Sequence, residues 1–138
     1  MPKKFTFTKA ERLKSRKVIK GLFAGGESFG AYPVRVVWRE MEERKSKSPV
    51  QVTFSVPKKR FKTAVARNLL KRRMREAYRL SKHKIYRKRE EAEKQLAVML
   101  IYTGKEELPY AEIEKSMGKI IWRLGKIGDA NWKSKKKR

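Results

Sequence analysis

Cysteine is absent from the 138 residues, and histidine and aspartate occur once each, as His83 and Asp129. Without a thiol there is no disulfide, no thiolate nucleophile and no Cys-ligated zinc. A histidine metal site or a Ser/His/Asp triad would rest on His83 alone, and His83 stands between Lys82 and Lys84, which reads as a solvated surface position. Long apolar runs are lacking too. The longest, Leu96 to Tyr102, is far short of the roughly 20 residues of a membrane span, and no apolar stretch follows Met1-Pro2-Lys3-Lys4. The chain therefore reads as soluble and cytoplasmic, with no membrane partner. Acids are scarce, 14 Asp and Glu against 39 Lys and Arg, for a formal net charge of +25. Such an excess repels itself, and its natural counterpart is a polyanion.

What is present is enough for a core. Hydrophobic residues make up 39% of the chain, and a chain of 138 residues can bury about two-thirds of its unfolded surface in one domain. The charge is uneven. Arg44 to Arg89 holds 18 Lys or Arg against one acid, Glu76, whereas acids gather at Glu40, Glu42 and Glu43, at Glu90, Glu91 and Glu93, and at Glu106, Glu107, Glu112 and Glu114. The polyanion should meet the middle of the chain and leave the acidic clusters aside.

Apolar periodicity divides the chain into elements. Ala10 to Phe23 reads as a helix, with Thr8 as N-cap, Glu11 in capping-box spacing and Gly25-Gly26 as its stop. Phe29 to Arg39 reads as a strand with Val34, Val36 and Trp38 on one face and Arg35, Val37 and Arg39 on the other; Pro33 suits an edge or a late start. From Gln51 to Val56, Val52, Phe54 and Val56 face one way and Gln51, Thr53 and Ser55 the other, until Pro57 ends the strand. A helix from about Thr63 to His83 follows, and the stretch to Lys94 either continues it or loops. Leu96 to Tyr102 is apolar on both faces, as a central strand would be. Tyr110, Ile113, Met117, Ile120, Ile121 and Leu124 recur at helical spacing. The order is helix, strand, strand, helix, strand, helix. Residues 1–124 form the domain and 125–138 a basic, disordered tail.

The chemistry concentrates in the second helix. At about 100° per residue, Arg67, Asn68, Lys71, Arg72, Arg75 and Arg79 fall within one arc, opposite Ala66, Leu69, Leu70, Met74, Ala77 and Leu80. A merely solvated face interleaves charge signs to gain i,i+4 pairs; here the one acid is Glu76, which favours phosphate binding. Lys58-Lys59-Arg60 precedes the helix and extends the basic surface to a helix N-terminus. Arg73 falls on the apolar side, where it either snorkels or pairs with an acid. Phe23, Phe29, Tyr32, Trp38 and Phe54 are candidate stacking platforms, though each singly is more readily core. No Asp-x-Asp, acid cluster or Gly-rich phosphate loop lies in the basic zone, so a protein-borne active site has little support.

The stretch Ser55-Val-Pro-Lys-Lys-Arg-Phe-Lys-Thr-Ala-Val-Ala-Arg-Asn-Leu-Leu-Lys-Arg-Arg-Met-Arg-Glu76, together with Arg12-Leu13, Ile19, Phe23 and Gly26, resembles the protein subunit of bacterial ribonuclease P over about Arg12 to Leu124. Two positions depart from the family pattern: its Arg-Asn-Arg reads Arg67-Asn68-Leu69, and its first-helix aromatic pair reads Ile19 and Phe23. The resemblance implies a single compact α+β domain, an α/β sandwich with a left-handed βαβ crossover. It implies binding to a catalytic RNA at Lys58, Lys59, Arg67, Asn68, Lys71, Arg72, Arg75 and Arg79, and a cleft for the 5′ leader of precursor tRNA that includes Phe23, Thr53 and Ser55. It implies a monomeric protein in a 1:1 complex with that RNA. It also implies that RNA and substrate bind most of the Mg²⁺ and that the protein has no catalytic residue. A ribosomal RNA-binding protein and a protein-only endoribonuclease are the rival readings.

Overall fold

A computed structural model describes residues 7–41, 46–89 and 94–127. Its elements are a 3₁₀ turn (Lys9–Glu11), α1 (Arg16–Gly25), β1 (Glu27–Ala31), β2 (Val34–Met41), β3 (Val50–Ser55), α2 (Ala64–Ser81), α3 (His83–Arg89), β4 (Gln95–Tyr102) and α4 (Tyr110–Gly125). The sheet order is β1-β2-β4-β3, with β1, β2 and β4 antiparallel in turn and β3 parallel to β4. The parallel pair is joined by α2 and α3, the crossover that parallel strands require. This is the expected α+β domain, with β4 in the interior of the sheet.

Period 2 explains the layers. On one face Val34, Val36, Trp38, Val50, Val52, Leu96, Val98, Leu100 and Tyr102 pack against Leu70, Met74, Ala77 and Tyr78 of α2, Ile85 of α3 and Ile113, Met117, Ile120, Ile121 and Leu124 of α4. On the other face Val37, Ala97 and Met99 pack with Leu13 and Leu22, with Val18, Ile19, Met41 and Ile101 partly buried beside them. So α1 covers one side of the sheet and α2, α3 and α4 the other.

Four expectations change in detail. The segment read as one strand from Phe29 to Arg39 is a hairpin turning at Tyr32 and Pro33, whose peptide bond is cis. Phe29 pairs with Val36 and shares its face, although in a single strand residues of odd and even number would face opposite ways; the alternation of Val34 to Arg39 lies wholly within β2 and is silent on the turn before it. The first helix begins at Arg16, capped by the Ser15 hydroxyl, which accepts from the Val18 N–H at 3.2 Å. The capping box of Thr8 and Glu11 closes the separate 3₁₀ turn, and Arg12-Leu13 beyond it runs extended beside Val52. The core reaches Ile127, past the expected domain limit at Leu124; 128–138 lie outside the described residues, as do Glu42, Glu43, Glu90, Glu91 and Glu93. His83, read as a solvated surface residue, is half-buried at the start of α3.

Glu11 does more than cap. It is buried, accepts from the Thr8 N–H at 2.7 Å and the Tyr86 hydroxyl at 2.6 Å, and is ion-paired with buried Lys82. Burial by itself would raise its carboxyl pKa, but donation from Lys82, Thr8 and Tyr86 outweighs this and holds it below the usual carboxylate range. A carboxyl so depressed contributes stability that is present above its unfolded pKa of about 4.3 and is lost as pH falls through the folded value. Glu11→Gln removes the carboxylate paired with the buried Lys82 ammonium, a loss of roughly 3–5 kcal/mol, which thermal unfolding at neutral pH should register. The variant should also lose less stability than the parent on acidification toward about pH 3, because one depressed carboxyl is gone. Equal unfolding temperatures at neutral pH would refute the assignment.

Candidate nucleic-acid interface

The α2 helix starts at Thr63, whose hydroxyl accepts from the Ala66 N–H at 3.2 Å. Lys58, Lys59 and Arg60 are exposed in the turn just before it. Arg60 donates to the Thr103 carbonyl at 2.7 Å, which pins that turn beside the end of β4. Arg67 reaches back to the Phe61 carbonyl at 2.8 Å and ties the first turn of the helix to the loop. Buried Leu70, Met74, Ala77 and Tyr78 fix the rotation of α2, so Asn68 and Arg72 are exposed and Arg67, Lys71, Arg75 and Arg79 half-exposed. The expected cation face thus exists as one surface.

Its members are not equivalent. The Arg75 guanidinium lies 5.8 Å from the Phe54 ring centre, a cation-π contact at the core edge. Arg79 holds Glu76 through two hydrogen bonds of 2.6 and 3.2 Å, and this pairing keeps the Glu76 carboxyl below its ordinary pKa. Much of the Arg79 charge is therefore answered within the helix. Arg73 donates to the Leu108 carbonyl at 2.7 Å, so this residue on the apolar side anchors the loop before α4 through a backbone oxygen. Leu69, at the departure from the family motif, is half-buried. Leu80, placed on the apolar side by periodicity, is 40% exposed because the chain turns at Lys82 and Ile85 of α3 takes the core position.

The opposite face of the sheet carries a second basic surface. Thr53 and Ser55 are half-buried beside their register partners Met99 and Ile101 on the face that α1 covers. Phe23 is 67% exposed, one helical turn beyond Ile19. Between the start of α1 and the sheet lies a depression of about 650 Å³ whose lining includes Lys9, Arg12, Lys14, Lys17 and Arg39. Arg39 passes close under α1 at Gly21, where an added Cβ would lie 2.8 Å from its Nη1. Counting charge along the chain missed these cations by assigning the partner to the middle. The signal was present as six Lys or Arg from Lys9 to Lys20 against Glu11 alone, which the fold buries with Lys82.

Of the aromatic candidates, Phe29 and Trp38 are core, and Phe54 packs edge-on against Phe7 and Tyr78 at 5.8 and 6.1 Å. Phe23 and Tyr32 are exposed. Among the described residues no three His, Asp or Glu side chains come together as a metal-ligand set. No helix among them is long and apolar enough to cross a membrane.

Two cationic surfaces on opposite faces of one four-stranded sheet define a nucleic-acid-binding α+β domain. The family model for ribonuclease P matches residues 7–125. A ribonuclease P protein component from Porphyromonas gingivalis is 38% identical over 123 residues, covering 89% of each chain. One from Chlorobium phaeobacteroides is 44% identical over 80 residues, 56% of this chain and 55% of the relative. The ribonuclease P protein of Thermotoga maritima superposes with a TM-score of 0.64 at 22% identity, over 82% of this chain and 96% of its own. That of Staphylococcus aureus does so with 0.61 at 22%, over 86% and 98%. The chain belongs to the ribonuclease P protein family, RNA-binding components that act in tRNA processing.

Salt dependence distinguishes the members of the α2 face. Lys71→Ala and Arg72→Ala should each weaken binding to a structured RNA and flatten the slope of log affinity against log salt by about 0.7–0.9. Arg79→Ala should change the slope less, because Glu76 already answers its charge. A slope change from Arg79→Ala as large as that from Lys71→Ala would contradict the ranking.

Proposed function

We propose that this chain binds the catalytic RNA of ribonuclease P through the α2 face and the Lys58-Lys59 turn, and that the complex removes the 5′ leader from precursor tRNA. Family membership over residues 7–125 carries the reading, and the cation face of α2 supports it. A face of cations whose one acid is Glu76 suits the closely spaced phosphates of a nucleic acid. This reading assigns no hydrolytic step to a protein side chain. In this reading oxygens of the RNA and the substrate hold the Mg²⁺ that hydrolysis uses, in a 1:1 particle in the cytoplasm.

The leader takes the other face of the sheet. A single strand has unpaired bases that stack on an exposed ring, and Phe23 offers one on α1, with Thr53 and Ser55 as hydrogen-bonding partners on the sheet. Ile19, aliphatic and partly buried, packs toward the sheet and leaves stacking to Phe23. The cations around the 650 Å³ depression would follow the leader's phosphates.

Reconstitution tests both halves. Protein and cognate RNA are assayed separately and together on a precursor tRNA carrying a 5′ leader. Cleavage by the RNA-free protein, persisting with a ribonuclease inhibitor present, would overturn the reading. Phe23→Ala should weaken holoenzyme binding of the precursor by about 1–3 kcal/mol per base contacted while hardly changing the binding of mature tRNA. Equal losses for both substrates would remove Phe23 from the leader site.

A further inference from the structure

The outward face of α4 has no role in the reading above. Ile113, Met117, Ile120, Ile121 and Leu124 are buried, which turns Lys115, Gly118, Lys119, Trp122 and Arg123 to solvent. No acid occurs between Lys115 and Lys126. Trp122 is 64% exposed, whereas Trp38 is 4% exposed. An isolated exposed aromatic is ordinary, but this one stands between two depressions. One, of about 680 Å³, is bounded by Gly30 and Ala31 of β1 and by Lys115, Gly118, Lys119 and Arg123 of α4. The other, of about 230 Å³, is bounded by Lys84 and Arg87 of α3 and by Ile121 and Gly125.

The local chemistry is that of a stacking platform inside a cation ring. The Lys126 ammonium lies 4.4 Å from the centre of the indole. Gly118 stands one turn before Trp122, and a Cβ placed there would meet nothing within 4 Å, so the space beside the indole is open. Arg123 lies 4.3 Å over the Phe29 ring, which holds its charge at the rim of the larger depression. A protein-docking patch of this size would be depleted of Lys at its centre, whereas single-stranded nucleic acid calls for this combination of exposed ring and flanking cations.

We propose that Trp122 is a stacking site for an unpaired base of RNA, with Lys115, Lys119, Lys126, Lys84 and Arg87 on the flanking phosphates. The inference rests on the RNA-binding reading and adds a third contact surface, separate from the α2 face and from the sheet face under α1. It takes single strands without sequence preference, because the described groups offer a π-face and charges rather than a base-edge pattern.

The test uses the full chain and an oligoadenylate of about ten nucleotides, within the usual span of such sites. A Trp132→Phe background leaves Trp122 as the exposed emitter beside buried Trp38. The oligonucleotide should quench indole emission. Trp122→Ala should weaken binding by about 5- to 100-fold, and Trp122→Phe should retain most of it. Thermal unfolding should be unchanged in both, since the side chain is outside the core. Absence of quenching together with undiminished binding by Trp122→Ala would overturn the proposal. So would self-association in sedimentation that Trp122→Ala abolishes while oligonucleotide binding is unaffected, which would make the patch a protein contact. Lys71→Ala and Arg72→Ala run in parallel. If these weaken binding and Trp122→Ala does not, this inference fails alone; if none of the three does, the RNA-binding reading fails with it.

Discussion

Both faces of β4 are apolar and both must be covered, and the rest of the molecule follows from that demand. Leu96, Val98, Leu100 and Tyr102 need the α2 and α4 layer, while Ala97 and Met99 need α1. A strand exposed to water on either side would forfeit about 25 cal/mol for each Å² of apolar surface left uncovered. Antiparallel β2 on one side and parallel β3 on the other complete its hydrogen bonding. Because α1 and α2 lie on opposite faces, the two basic surfaces are separated by the thickness of the sheet.

That separation matters for a chain with a net charge of +25. Concentrating the charge on one surface would set repulsion against folding at a single place. Dividing it between α2, the depression under α1 and the outer side of α4 lowers the local density and leaves several faces open to one large polyanion. The acids of the described residues that form ion pairs work inside this scheme. Glu11 meets buried Lys82, Glu40 meets buried Arg89 at 2.8 Å, and Glu76 meets Arg79. The first two bring a carboxylate to a buried cation. The third quiets one position of the binding face without interrupting it.

The buried Glu11–Lys82 pair also joins segments 71 residues apart, linking the turn before α1 to the junction of α2 and α3. A solvated pair would contribute little, but breaking a buried one leaves an uncompensated charge. Tyr78 and Tyr86 close the network, their hydroxyls 3.0 Å apart, and Phe7 stacks edge-on against Tyr78 at 6.1 Å. The contact therefore couples the two layers at the end of the sheet where α3 begins.

Much of this was legible in the sequence because periodicity is local. The alternation in β3, the two-faced apolar run of β4 and the stripes of α2 and α4 are read over a few residues, and the cation arc of α2 follows from 3.6 residues per turn. The family resemblance was equally local, carried by the segment from Ser55 to Glu76. What failed needed partners distant in the chain. The alternation of Val34 to Arg39 lies inside one strand, and β1 is too short to set a period of its own, so the hairpin at Pro33 shows only in the pairing. Glu11 looks like a surface cap until Lys82 arrives from another element. Trp122 falls on the polar side of the α4 wheel, a signal that was present and unread, but whether it lies bare or covered depends on what α3 and β1 leave open beside it. The sequence by itself determined which faces are apolar and which cationic, since side-chain chemistry and backbone period are properties of neighbours. Only the tertiary structure decided which cations stay paired and which aromatics stay bare, because burial and ion pairing depend on the packing of residues far apart in the chain.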